Sequence, residues 1–211
     1  SLYAGKTAAE AAAEGAYELT RRGGGWLRIP VNFGNDEDSQ FFERDPMYGY
    51  SMGAPSKGDM VRTWIYGPTH QGYWLDPGRS LVCGGKPTPE QRSLLVDSYS
   101  ITEAVMNSVK HGVRVLDVVG EAERVQARVA EEEDLAAKQW PYFGHGNGSM
   151  WEHPIINRDS VTADDIFEEG MVASGESFMT RKGVGSVGWE QNFIVTRTGI
   201  ELLTTTPVFW F

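Results

Sequence analysis

The chain has 211 residues, a formal net charge of -10, 40% hydrophobic residues and a mean hydropathy of -0.37, a size that buries a core without staples and an acidic balance that excludes general nucleic-acid binding, which needs clustered Lys and Arg against phosphates. A single cysteine, Cys83, excludes an internal disulfide framework and a multi-cysteine metal site. No apolar run approaches the ~18 residues that span a bilayer, so no membrane partner is expected, and the cysteine usage fits a cytoplasmic protein with small or cationic partners.

Thr7 and Glu10 read as a capping box that starts a helix over 8–22, stopped by Gly23-Gly24-Gly25. Because a helix opens almost at once and no initiator Met precedes it, the chain is expected to be a piece of something longer. Residues 26–33 read as a strand, with Pro30 demanding an edge or a bulge. Residues 34–57 have no period and read as a long loop. Two strand-like runs follow at 59–66 and 71–83, joined by Gly67-Pro68-Thr69-His70 and broken at Asp76-Pro77-Gly78. Thr88-Pro89-Glu90 opens a second helix, whose Leu94, Ile101, Val105 and Val109 share a face and which Gly112 ends. Val118, Ala122, Val125 and Val129 form the stripe of a third helix, ending in a solvated acidic run at 131–134. Residues 162–165 read as one helical turn. Strands are expected at 171–180, 187–196 and 200–205, with Arg197-Thr198-Gly199 as a hairpin turn.

One stretch is dense in reactive types. Between Tyr142 and Pro154 lie two of the four histidines, His145 and His153, together with Glu152, Asn147 and three glycines. Glycines beside His145 let backbone or ligand approach the imidazole closely. The Lys and Ser/Thr of a phosphate-binding P-loop are absent, which leaves a catalytic or binding site and a glycine-rich turn with a surface histidine as the two readings.

The halves of the chain, about 1–111 and 112–211, echo each other. Lys57-Gly58-Asp59-Met60-Val61 answers to Glu169-Gly170-Met171-Val172, Gly72-Tyr73-Trp74-Leu75-Asp76 to Gly188-Trp189-Glu190, and Phe33-Gly34-Asn35 to Phe143-Gly144-His145. Matches in a shared order predict a duplicated α+β unit in a single domain, with strands merged into one curved, mainly antiparallel sheet, helices on its outer face and a site between the halves. Asp76 and Glu190 then become counterparts, and with Glu176 and His145 they make a set of one imidazole and three carboxylates.

These residues resemble the catalytic domain of the creatinase, prolidase and methionine aminopeptidase family, the pita-bread fold, from Gly5-Lys6-Thr7 through to Val195-Thr196 and Gly199. The resemblance implies divalent metal held by two Asp, one His and two Glu, with activated water attacking an amide. By position it assigns Asp76, His145, Glu176 and Glu190 as metal ligands. Where the remaining Asp should stand is Trp64, so at most one ion is expected, with Mn, Fe or Co suiting the oxygen-rich set better than Zn. The usual His-Glu-Pro appears as Glu152-His153-Pro154. Glu176 is the candidate general base, and His153 or Glu152 the candidate proton donor to the leaving group. Trp64, Trp74, Trp151 and Asn147 are candidate substrate-binding residues, the tryptophans being equally readable as core. The resemblance further implies a homodimer or assembly with an N-terminal domain or subunit that this chain lacks. Three functions stay open: a hydrolase of a small amide or short peptide, a non-hydrolytic metalloenzyme such as a dimethylsulfoniopropionate-lyase-like enzyme, and an inactive binding member.

Overall fold

The computed structural model describes residues 5–35, 50–130, 140–209 and 211. Helix α1 spans Ala8–Arg21 and begins at the reciprocal Thr7/Glu10 capping box, which satisfies two otherwise orphaned amides and contributes about 1 kcal/mol. Strand β1 (Val31–Phe33) is short. The expected run from Trp26 is reduced to an isolated bridge between Arg28 and Tyr66, because Pro30 offers no ladder donor.

Strands β2 (Met60–Trp64) and β5 (Gly78–Val82) pair antiparallel. Between them, Gly67–His70 is not a simple turn. It forms β3, which pairs with β4 (Tyr73–Leu75) in a separate two-stranded sheet. Helix α2 (Pro89–Ser108) starts at a second capping box, Thr88/Gln91, and α3 (Val115–Val129) follows. Helix α2 stops at Ser108, ahead of Gly112, with Val109 extended as its C-cap. The acidic run at 131–134 and most of the expected loop at 34–57 lie outside the described residues.

The glycine-rich stretch is a hairpin, β6 (His145–Asn147) with β7 (Trp151–Ile155). Residues 162–165 make no helical turn. Asp165 instead accepts from the Thr162 amide at 2.6 Å and its hydroxyl at 2.9 Å, so a side chain closes the turn. Strands β8 (Val172–Arg181), β9 (Gly185–Val195) and the short β10 (Ile200–Leu202) complete the fold.

Eight strands form one sheet in the order β1-β2-β5-β9-β8-β6-β7, with β10 on β9, and every described pairing is antiparallel. Alternation assigns its two faces. Toward the helices, Ser177 bonds the Ser98 carbonyl (2.8 Å) and Thr102 (2.8 Å), the Trp189 indole donates to Leu95 O (3.1 Å), and Gly175 lies against Val105. These contacts join β8 and β9 to the main core of Leu94, Leu95, Ile101, Val118, Val119, Phe167 and Phe193. Coverage on both faces explains why β8 and β9 are buried almost throughout. The opposite face carries the carboxylates.

Candidate metal centre

The register of the sheet lines up one row across four strands. Trp64 on β2 opposes Gly78 on β5, Gly78 opposes Glu190 on β9, and Glu190 opposes Glu176 on β8. Directly opposed residues share a face, so Trp64, Glu190 and Glu176 project to the same side with only Gly78 between the indole and Glu190. The Trp64 indole crosses that gap, its Nε1 donating to Glu190 Oε2 at 2.9 Å. The passage depends on missing side chains: a β-carbon at Gly78 would overlap the indole, and one at Gly188 would meet Trp64 Cη2 at 2.6 Å and Phe178 at 2.7 Å. Phe178 stacks on Trp64 with centroids 5.2 Å apart.

His145 enters from β6 and Asp76 from the segment between β4 and β5. The His145 Nε2 lies 3.3 Å from Asp76 Oδ2 and 3.6 Å from Glu190 Oε1. Its Nδ1 is 3.0 Å from Gly146 O, a partner that favours the tautomer with hydrogen on Nδ1 and a lone pair on Nε2 for a cation. Asp76, His145, Glu176 and Glu190 are 2%, 4%, 2% and 2% exposed.

Asp76 is held from all sides. Its Oδ2 accepts from Trp74 Nε1 (3.1 Å) and Trp151 Nε1 (2.7 Å), and its Oδ1 from Asn192 Nδ2 (3.0 Å). Burial alone would push its carboxyl up, but the His145 ring, with Glu190 and Asn192, outweighs it and brings it down to about 2. For His145, burial opposes the charge, yet Asp76 and Glu176 raise the ring to about 9. Burial, with the neighbouring Asp76, lifts Glu176 to about 7 against the pull of His145. Glu190 is raised well above the usual range by burial and by the Asp76 and Glu176 charges. A site that crowds three carboxyls around one imidazole is short of positive charge.

These residues fit a divalent cation. Glu176 Oε1 and Glu190 Oε1 are buried without a hydrogen-bond partner, a state that costs about 1–3 kcal/mol or more per group unless a ligand, ion or water meets it. Ligand atoms of Asp76, His145 and Glu190 all lie within 4.8 Å of one another. One nitrogen with carboxylate oxygens is a donor set for a hard or borderline divalent ion.

Of the remaining candidates, Trp64, Trp74 and Trp151 donate to carboxylates of the candidate ligand set. Asn147 shares the inner face with His145, and both its amide atoms are buried without partners. Glu152 and His153 are not brought to the cluster. Glu152 accepts from the Ser149 amide (2.8 Å) and hydroxyl (3.1 Å), pinning the β6–β7 turn, and His153 faces outward to Asp165 at 3.0 Å. Glu152 opposes Gly146 in the register, and the register shifts between His145 and Gly146. That irregularity separates sequence proximity to His145 from proximity in space.

Asn192 was legible and missed: it stands two residues after Glu190 on the same strand, hence on the same face, and it grips both the Asp76 carboxylate and, at 3.3 Å, its amide. Gly78 and Gly188 carried no signal, since their role appears only when the indole is seen to cross them.

The fold and site together define an antiparallel sheet with helices on one face and an imidazole–carboxylate cluster on the other. The chain belongs to metallopeptidase family M24, which it matches over residues 1–197. Solved structures similar to it include dipeptidase PepE from Mycobacterium ulcerans (25% identity, TM-score 0.78, covering 99% of this chain and 54% of that one). They also include the X-Pro aminopeptidase from Thermotoga maritima (22%, 0.80, 98% and 56%) and the prolidase from Pyrococcus furiosus (21%, 0.76, 97% and 57%). The chain thus spans a little over half the length of these structures. Among curated proteins compared by sequence there is no match. No described helix is long and apolar enough to cross a membrane.

Proposed function

We propose that this chain is a metal-dependent hydrolase of the Xaa-Pro peptidase and creatinase type, acting on a small amide or short peptide with a single divalent ion. Asp76, His145, Glu176 and Glu190 would hold that ion, Mn, Fe or Co being better suited than Zn. The observation that carries this reading is the pair of buried carboxylate oxygens without a hydrogen-bond partner, Glu176 Oε1 and Glu190 Oε1, on the face that presents His145 Nε2. The Trp64 indole on Glu190 Oε2 supports a count of one, because it engages the oxygen that a second ion would need.

A bound divalent ion would supply Lewis acidity toward a substrate carbonyl and lower the pKa of a water. The chain's own groups supply the rest. Glu176, buried beside the cluster, would take a proton at the carboxylate oxygen that the ion leaves free and return it to a leaving nitrogen, the double duty of a general base and acid. The indole wall keeps bulk water from the carboxylates and strengthens every charge interaction within. Glu152 and His153 are engaged elsewhere, so the proton traffic falls to Glu176.

We further propose that residues 1–211 act as one catalytic-type domain built from related halves, working in the cytoplasm as a homodimer or with an N-terminal domain or subunit. Metal analysis after Mn or Fe loading tests the ion: about one equivalent supports the reading, and less than about a tenth replaces it with an inactive binding member. Mass spectrometry of products from dipeptides, cyclic amidines and sulfonium acids, with an Asp76→Ala control, tests the reaction. Products without added water would make it a lyase.

A further inference from the structure

The groups that touch the four ligand candidates are themselves buried or half-buried, with one exception. Trp151 is 47% exposed, yet its Nε1 reaches Asp76 Oδ2 at 2.7 Å and its ring lies 5.2 Å from that of His145. Trp64 and Trp74 are buried. Among the described residues that hydrogen-bond or stack on the four, Trp151 is the most exposed.

The local build allows this indole to move while its backbone stays. Trp151 is the first residue of β7, and the preceding turn is tied down by Glu152 on Ser149. The Trp74 amide bonds Gly148 O at 2.7 Å, fastening the β3–β4 hairpin to the same turn. The indole itself is held by its bond to Asp76 and by edge contacts with Trp74 (6.4 Å) and Trp140 (6.1 Å). Asp76 does not depend on it. When Trp151 turns out, Trp74 Nε1 still serves Oδ2 and Asn192 Nδ2 still serves Oδ1, so opening does not orphan the buried carboxylate.

The geometry points to Trp151 as the gate of the metal centre, whose indole swings outward and releases Asp76 before an ion or a small substrate reaches His145, Glu176 and Glu190. The inference rests on the cation reading above and deepens it by assigning the route.

A gate and a ligand-supporting residue differ in kinetics. Removing a gate speeds entry and exit alike and leaves the equilibrium nearly unchanged, whereas weakening the support of a ligand speeds exit alone. The test is stopped-flow tryptophan fluorescence on the full chain, following Mn²⁺ entry and its removal by EDTA, with Trp64 and Trp74 as remaining reporters. For Trp151→Ala both rates are expected to rise at least about tenfold with the Kd within about threefold. Trp151→Phe, which keeps an aromatic ring but loses the anchor and part of the bulk, should fold as the parent does and raise both rates by a smaller, equal factor. An unchanged entry rate in both Trp151 variants overturns the gate, and faster exit alone would make Trp151 a mere support for Asp76. If the parent protein takes up no Mn²⁺, the cation reading fails first and the gate falls with it, an outcome distinct from a parent that binds the ion while both variants match its rates.

Discussion

The indole of Trp64 donates to Glu190 Oε2 at 2.9 Å, although 126 positions separate the two residues along the chain. A neutral donor thereby serves a carboxylate buried among other acids, and each prediction below follows from that arrangement or from the groups beside it.

Trp64→Phe keeps an aromatic ring on β2 but removes the N–H and part of the indole's bulk over Gly78. Glu190 Oε2 then loses its hydrogen-bond donor, and the metal-free protein should lose about 1–3 kcal/mol in a urea melt. The bound-metal count should stay at one. A second equivalent in Trp64→Phe would show that the whole indole is needed to hold the stoichiometry.

Gly78→Ala places a methyl group inside the indole. Gly78 has an ordinary φ, so the cost is steric and should reach about 1–3 kcal/mol or more. Combining it with Trp64→Leu should recover much of the loss. Additive losses in the double-mutant cycle would mean that the two positions do not share one volume.

Metal-free stability should fall as pH rises from about 5 to 9. His145 is raised from 6.5 to about 9, so its contribution is complete below 6.5 and vanishes on passing 9. Glu176 is raised from 4.5 to about 7, so the folded state prefers it protonated and is weakened as pH climbs through that window. Asp76, lowered from 3.8 to about 2, acts oppositely and only at the acid end, where its contribution is lost as pH falls. Because a cation competes with these protons, the rise in Tm produced by Mn²⁺ should grow over the same range. Thermal melts with EDTA or Mn²⁺ at several pH values check both slopes, and a Mn²⁺ effect flat with pH would contradict the ligand assignment.

Asn192→Ala leaves Asp76 Oδ1 and its amide without their partner. Loss of an outer support of this kind should weaken metal binding roughly 10–100-fold, and His145→Ala should weaken it further. Equilibrium dialysis of Mn²⁺ orders the two variants, and equal affinities would remove Asn192 from the supporting set.

Much of the frame could be read from local chemistry. The capping box at Thr7, the cap at Thr88, the stripe Val118-Ala122-Val125 and the break at Asp76-Pro77 are features of neighbouring residues, and they fall where the periodicity and turn rules put them. The ligand candidates were legible through ordered echoes along the chain and a family resemblance. What escaped was set by register. Glu152 and His153 adjoin the site in sequence and leave it in space because the β6–β7 pairing shifts, and Asp165, from another segment, claims His153. Gly67–His70 looked like a turn because its glycine and proline dominate, yet pairing with Tyr73–Leu75 overrides them. The tryptophans could be counted as core or as pocket, and only the sheet geometry reveals a use that is neither, as donors to acids.

The fit of one indole across two bare backbones also restricts the order in which this protein could change. A side chain at Gly78 or Gly188 is barred while Trp64 stands, and shrinking Trp64 first opens a hollow walled by residues that cannot fill it. An acid placed at position 64 would face a neighbourhood shaped around an aromatic ring, so one substitution there would leave its side chain without the room or the partners that the indole has. Positions 64, 78 and 188 are free to vary only together.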